Sequence, residues 1–298
     1  MEHSHSSLFT QQSVRNWEET ARKELEDGQS LENLVQTKEG VRIKPYYTTN
    51  DRVSKAASPL PESKDEFGGA RHWVNMPKVL VDDAEKANQE ALHHLQNGAD
   101  GILFEIKSNR IAVAQLLQKI ELPYCSIFFA IRADQQEFIT DFRIYAEAKY
   151  EQTSIKGGIF WKDSTPISTA AQFRKWSAFK SCGTVAQPAN DLPETIYDTL
   201  IKAAAHCEAL QQHGYSADEA WKSIAFSVAL GNHFFLSIVQ LRVLRQLWLG
   251  FAATKEVAEH VFIHATSPAW IHPNYQLHGN LIKETYAAMA GILGGCDG

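Results

Sequence analysis

A chain of 298 residues with 44% hydrophobic and 21% charged residues has globular composition, which excludes disordered and fibrous classes and allows one barrel-sized domain or two smaller ones. Its net charge of −6 and scattered basic residues exclude a phosphate-backbone footprint, so no nucleic acid is expected as partner. No apolar run approaches about 18 residues and MEHSHSSLF has no apolar stretch of a secretory signal, which predicts a cytoplasmic protein with no membrane span.

Residues 16–25 carry the apolar spacing of a short helix, with Gly28 as terminator. Residues 31–51, LENLVQTKEGVRIKPYYTTND, are too irregular for a helix and too polar for a buried strand, and read as an extended, aromatic-bearing arm. Residues 54–70 combine two prolines, two glycines and polar residues in loop composition, placing a boundary near residue 71. Residues 1–70 are therefore expected to be helix, arm and linker, and 71–298 a barrel domain. There, strand-like runs at 73–81, 101–107, 125–131, 157–161, 177–183, 223–230 and 260–266 alternate with segments of helical period at 83–98, 109–120, 135–151, 167–176, 192–214 and 234–251. Alternation of this kind predicts a parallel sheet with crossover helices. Seven repeats without a GxGxxG turn point to an α/β fold of the TIM (β/α)8 barrel type. It lacks the eighth strand and helix, because only GGCDG follows the last helical segment, NLIKETYAAMAGIL (280–293).

The missing strand leaves the first and seventh strands without a neighbour between them. Strand number, tilt and stagger are linked in a barrel, so an open gap covered by the arm or by a second copy is expected, not a strained seven-strand closure. In SIAFSVA one face presents Ser223, Ala225, Ser227 and Ala229 and the other Ile224, Phe226 and Val228; SAFKSCG likewise puts Ser177, Phe179, Ser181 and Gly183 on one face. Either these small residues face a partly open axis, or the strands lie at tight helix contacts. Lys162 and Lys180, near the ends of the fourth and fifth strands, would suit Schiff-base chemistry only in a perturbing environment that the sequence does not show. His260 and His264, four apart on a strand, do not share a metal, and none is expected. Cys125, Cys182, Cys207 and Cys296 stand far apart without a CxxC pair and are expected to be buried thiols.

From about residue 16 to the end, the chain resembles the cobalamin-dependent methylmalonyl-CoA mutase family. EGVRIKPYYTTND resembles the arm that precedes its barrel. ALGNHFFLSIVQLRVLRQLW (229–248) is similar to its Gly-Asn-x-Phe-Phe turn and LRxxRxLW helix, IHATSPAW (263–270) to its His-x-x-Thr-Ser-x-x-Trp strand end, and NLIKETYAAMAGILGG to the helix leading into its eighth strand. The resemblance implies a barrel axis lined by small hydrophilic residues and threaded by the pantetheine arm of coenzyme A, with an N-terminal arm that embraces a partner subunit. It also implies coenzyme A contacts at Arg242, Arg245, Ser181 and Ser227, and a corrin-facing place for His264.

Departures from the family pattern are as informative. Where catalytic chains carry a Thr-Met-Tyr segment this chain has PESKDEFGGARHWVN, and where they carry Gly-Tyr-His-Met-Gln-Glu it has SCGTVAQPAN (181–190). No histidine is followed three residues on by glycine, so the cobalt-ligating DxHxxG motif is absent. The chain thus resembles the small, non-catalytic subunit of the heterodimeric mutase. That implies no catalytic residues of its own, adenosylcobalamin present in the complex without being ligated by this chain, and the large catalytic subunit as partner. A homodimer in isolation is the expected fallback. The alternative is a stand-alone acyl-CoA-binding protein or small-molecule enzyme on a degenerate barrel.

Overall fold

The computed structural model describes residues 13–26, 29–51, 73–187, 191–257, 261–267 and 277–298. The expected boundary near residue 71, His260 and the end of IHATSPAW lie outside them. Two compact units are present, Met1–Ala56 with Ala189–Glu194, and Ala57–Pro188 with Thr195–Gly298.

In the first unit, α1 (Val14–Glu24) is started by the Ser13 hydroxyl, which accepts from the Asn16 N–H, and Arg22 and Lys23 sit in its last turn. The arm is not simply extended: β1 (Gln36–Lys38) and β2 (Val41–Ile43) pair antiparallel. Their two-residue turn, Glu39 and Gly40, has φ of 49° and 75°, which suits the twist of a hairpin. Glycine is required twice over at 40, since a Cβ there would also lie 2.5 Å from Asp191 Cβ. Trp17 stacks on Tyr46 at 4.9 Å. The Glu-Gly pair was the sequence signal for this hairpin.

In the second unit, the strands are β3 (Lys78–Val81), β4 (Gly101–Ile106), β5 (Ser126–Ile131), β6 (Gly157–Trp161), β7 (Phe179–Val185), β8 (Ile224–Ala229) and β9 (Phe262–Thr266). The helices are α2 (Ala84–Gln96), α3 (Val113–Leu116), α4 (Gln136–Glu147), α5 (Ile167–Ala170), α6 (Leu192–Gln212), α7 (Ala217–Lys222), α8 (Phe234–Thr254) and α9 (Leu277–Gly294). All seven strands pair in parallel in chain order, a curled sheet of the (β/α) barrel type without its eighth strand. The fully buried side chains of Phe104, Phe129, Phe142, Trp176 and Phe179 belong to the core cluster between sheet and helices. Each such ring contributes about 1.5–3 kcal/mol by leaving water.

Three helices differ from expectation. The segment 167–176 yields only the single turn α5 and a 3-10 turn over Ala171–Phe173. The segment 109–120 yields only the single turn α3, because the Asn88 amide on α2 takes the carbonyls of Leu116 and Gln118, both at 2.8 Å, and Lys119 turns left-handed at φ 63°. The additional helix α7 is nucleated by a reciprocal cap: Glu219 N–H donates to Ser216 Oγ (3.2 Å) and Ser216 N–H to the Glu219 carboxylate (2.7 Å). Among the described residues α8 is long and apolar enough to cross a membrane by length and composition, but Leu241, Leu244, Trp248 and Ala252 are buried within the unit and Arg245 interrupts it.

β3 and β9 are the two sheet edges and are not bonded to each other, as the strand count predicts. The cover differs from expectation, because the chain's own last residues stand in the seam. Val74 N–H donates to the Asp297 carbonyl (2.9 Å), Asp297 N–H to the Ile263 carbonyl (2.8 Å) and Ala265 N–H to the Gly298 carbonyl (2.9 Å). Those bonds satisfy backbone groups on both sides that a bare edge would leave open.

Candidate functional site

Alternation along each strand sends Ile102, Phe104 and Ile106 toward the helices and Leu103 and Glu105 toward the axis. By the same parity Phe128 and Ala130, Phe160, Ala225 and Ser227, and Phe262 and His264 face inward. The small-residue face of β8 therefore does look into the axis, yet the axis is not open. Phe128 stacks on Phe160 at 5.2 Å and on Phe262 at 4.8 Å, and Phe160 stacks on His264 at 5.4 Å. Rings from β5, β6 and β9 occupy the space that Ala225 and Ser227 leave. Gly158 and Gly183 make room for them, since a Cβ at either would lie 2.9 Å from Phe128 Cε1 or 2.6 Å from Phe160 Cδ1.

The face expected for Ser177, Phe179, Ser181 and Gly183 is broken. The register between β6 and β7 shifts from Gly158↔Lys180 to Phe160↔Gly183, so β7 carries an extra residue and its parity reverses. Phe179 packs toward the helices and Gly183 lies beside Phe160. Ser181 is buried in the wall, its carbonyl accepting from Trp161 Nε1 at 3.0 Å.

Ser227 Oγ lies 3.1 Å from His264 Nδ1, and His264 is 4% exposed. Burial, with repulsion from Lys78, lowers the His264 pKa to about 4, so the ring is neutral near pH 7. An unfolded histidine titrates near 6.5. Between that pH and about 4 the unfolded chain takes up a proton that the folded chain refuses, so stability fully present above pH 6.5 falls as the pH drops. This ring should account for about 3 kcal/mol of that loss. His264→Gln is expected to flatten that slope in urea denaturation at pH 7 and pH 4.5; equal slopes in both proteins would remove His264 from the account.

Arg242 and Arg245 lie on α8 beside the carboxyl end of α9. Arg242 Nη2 donates to the Leu293 carbonyl at 3.0 Å. Arg245, 6% exposed, donates to the carbonyls of Val261 (3.1 Å) and Gly295 (2.7 Å) and to Asp297 Oδ2 (2.6 Å). Four residues that the resemblance groups around one ligand thus lie in separate places: Ser227 in the axis, Ser181 in the wall, both arginines at the end of α9. Lys180 lies at the start of β7, not near its end, and donates to the Lys222 carbonyl at 2.7 Å; burial lowers its pKa to about 8 against the pull of Asp297.

Sequence reasoning missed Glu105, the single charge in GILFEI. It faces the carboxyl-end mouth, where Lys107 Nζ bonds it at 2.6 Å, Lys162 bonds the same oxygen, and Lys78 Nζ lies 3.8 Å from the other. Burial pushes the Glu105 pKa up, but the hydrogen bonds and charges of Lys107 and Lys162 outweigh it and hold it at about 2. Among the described residues no three His, Cys, Asp or Glu side chains could share a metal ion. Cys125 and Cys182 are buried thiols whose pKa values burial pushes up to about 11 and about 12. They make poor nucleophiles.

The strand order and a mouth at the carboxyl ends of the strands define a (β/α) barrel-type chain whose axis is a packed core and whose wall is parted at one seam. The chain resembles the methylmalonyl-CoA mutase family and, within it, small subunits. Residues 169–298 match the family model for methylmalonyl-CoA mutase. A methylmalonyl-CoA mutase small subunit from Porphyromonas gingivalis (strain ATCC BAA-308 / W83) is 24% identical over 297 residues, covering 88% of this chain and 48% of that one. One from Streptomyces virginiae is 21% identical, covering 91% and 49%. This chain therefore spans about half the length of the curated relatives it matches. A dihydropteroate synthase from Thermus thermophilus superposes with a TM-score of 0.41 at 13% identity over 74% of this chain and 85% of that one; at that score the fold rests on the strand order and not on the superposition.

Proposed function

We propose that the chain is a small-subunit-like component of an adenosylcobalamin-dependent methylmalonyl-CoA mutase, which interconverts (R)-methylmalonyl-CoA and succinyl-CoA. In this reading it is structural, not catalytic, works in the cytoplasm and pairs with a large catalytic subunit. The observation that carries the reading is the ring stack of Phe128, Phe160 and Phe262 in the axis, which leaves no passage for a pantetheine chain. Absence of the tyrosine and histidine segments of catalytic chains supports it. His264, 4% exposed, bonded through Nδ1 to Ser227 and stacked on Phe160, has the setting of a structural residue in the axis.

The coenzyme A roles considered for Arg242, Arg245, Ser181 and Ser227 have no place in this reading, since Arg242 holds Leu293, Arg245 holds Asp297, Ser227 holds His264 and Ser181 lies inside the wall. The purified chain with adenosylcobalamin and succinyl-CoA or methylmalonyl-CoA is expected to give no interconversion above a chain-free control. Co-expressed with a large subunit that carries the missing motifs, it is expected to co-purify as a stoichiometric complex. Interconversion by this chain alone, or tight acyl-CoA binding without association, would replace the reading with that of an independent acyl-CoA protein.

A further inference from the structure

The lysine cluster at the carboxyl-end mouth is not used by the reading above. We propose that Lys78, Lys107 and Lys162, gathered around Glu105, form a binding site for a small dianion, either a phosphoryl group or a short dicarboxylate.

The three ammonium groups come from three places in the sheet: Lys78 opens β3, Lys107 follows β4 and Lys162 follows β6. They converge because Glu105 lies between them. Lys162 must reach across β5 to do so, and the residue paired with Glu105 there is Ala130, whose methyl group leaves the path clear. Depth separates the signs. The Glu105 side chain is 13% exposed, whereas those of Lys162, Lys107 and Lys78 are 31%, 43% and 44% exposed. The carboxylate therefore forms the floor and the ammonium heads form the rim.

One carboxylate balances one cation, so two positive charges remain on the solvent side. Each ammonium has three donors, and those not aimed at Glu105 are available to a ligand. Like charges held this close are unfavourable until a counter-charge arrives, and a dianion supplies the missing two. Three of the neighbouring acids at this end have other duties. Asp163 accepts from the Ala133 N–H and pairs with Arg132, which also pairs with Asp134, and Asp83 caps α2 through the Lys86 N–H. Lys78 also contributes to keeping His264 neutral, as expected where the local potential is positive. The carboxyl ends of the strands are where barrel folds collect their ligands, and a mouth of one sign concentrates the opposite one.

The site does not depend on the subunit reading, and its test is separate from association. The full chain is titrated by calorimetry with inorganic phosphate and, in a second arm, with succinate, at ionic strength held constant with sodium chloride. Saturable binding with a Kd of about 1 mM is expected in at least one arm; whichever arm binds tells a phosphoryl from a dicarboxylate ligand. Lys162→Met and Lys107→Met should each weaken it about tenfold, whereas Lys149→Met, on a different surface, should leave it unchanged. The two variants check each other, since Lys107 and Lys162 follow different strands and each leaves the other still bonded to Glu105 when it is replaced. Heats that do not saturate in either arm, or binding that survives both replacements, would overturn the site and reduce the cluster to a solvated ion network.

Discussion

Phe128→Ala is expected to destabilise the protein by about 3–5 kcal/mol. Phe128 is 3% exposed, sandwiched between Phe160 and Phe262, and lies against the bare backbone of Gly158. Its ring is on a strand bonded on both sides, so the backbone cannot collapse into the space, and the cavity cost adds to the lost transfer free energy. Thermal or urea unfolding measures the loss; at about 2–4 °C per kcal/mol for a unit of this size, the midpoint should fall by about 6–20 °C. A loss below about 1 kcal/mol would mean that the axis is loosely filled, and would return room for a ligand to it. Gly158→Ala tests the same packing from the other side, since its Cβ would also lie 2.6 Å from the Lys180 carbonyl oxygen, which is backbone and cannot swing away.

Arg245→Met is expected to cost a comparable amount, about 3–5 kcal/mol. Arg245 is the buried cation that gathers Val261, Gly295 and Asp297, and Asp297 Oδ2 accepts in turn from the Ile263 N–H at 2.8 Å. Removal of the guanidinium leaves a carboxylate and two carbonyls short of a donor. The loss should be local as well as global: amide exchange at Ile263 and Ala265, whose N–H groups are held by Asp297 and Gly298, should accelerate more than at Phe226 in the neighbouring strand. Arg242→Met, which removes one exposed bond to Leu293, should cost within about 1.5 kcal/mol. Equal losses for the two arginines, or unchanged exchange at Ile263, would show that Arg245 does not hold the seam.

All seven strands of the sheet were legible in the sequence because each is a short run of apolar or alternating residues between helical periods, a pattern set by neighbours along the chain. The single turn at α3 and the parity reversal in β7 were not, since the first depends on Asn88, 28 residues before Leu116, and the second on pairing with β6. His264 was singled out from the sequence, but its partner Ser227 is 37 residues away and became visible only with β8 and β9 side by side. Glu105 stood in plain sight as the lone charge in GILFEI, without any sign of the three lysines that would surround it.

By itself the sequence determined the alternation of strands and helices and the parallel sheet that follows from it. Only the tertiary structure decided what fills the axis. Alternation says which face a side chain takes, a matter of one backbone's own geometry, whereas the volume at the centre is shared among seven strands. The rings of Phe128, Phe160 and Phe262 meet there because register sets their heights and Gly158 and Gly183 yield the space, and no single strand records either fact.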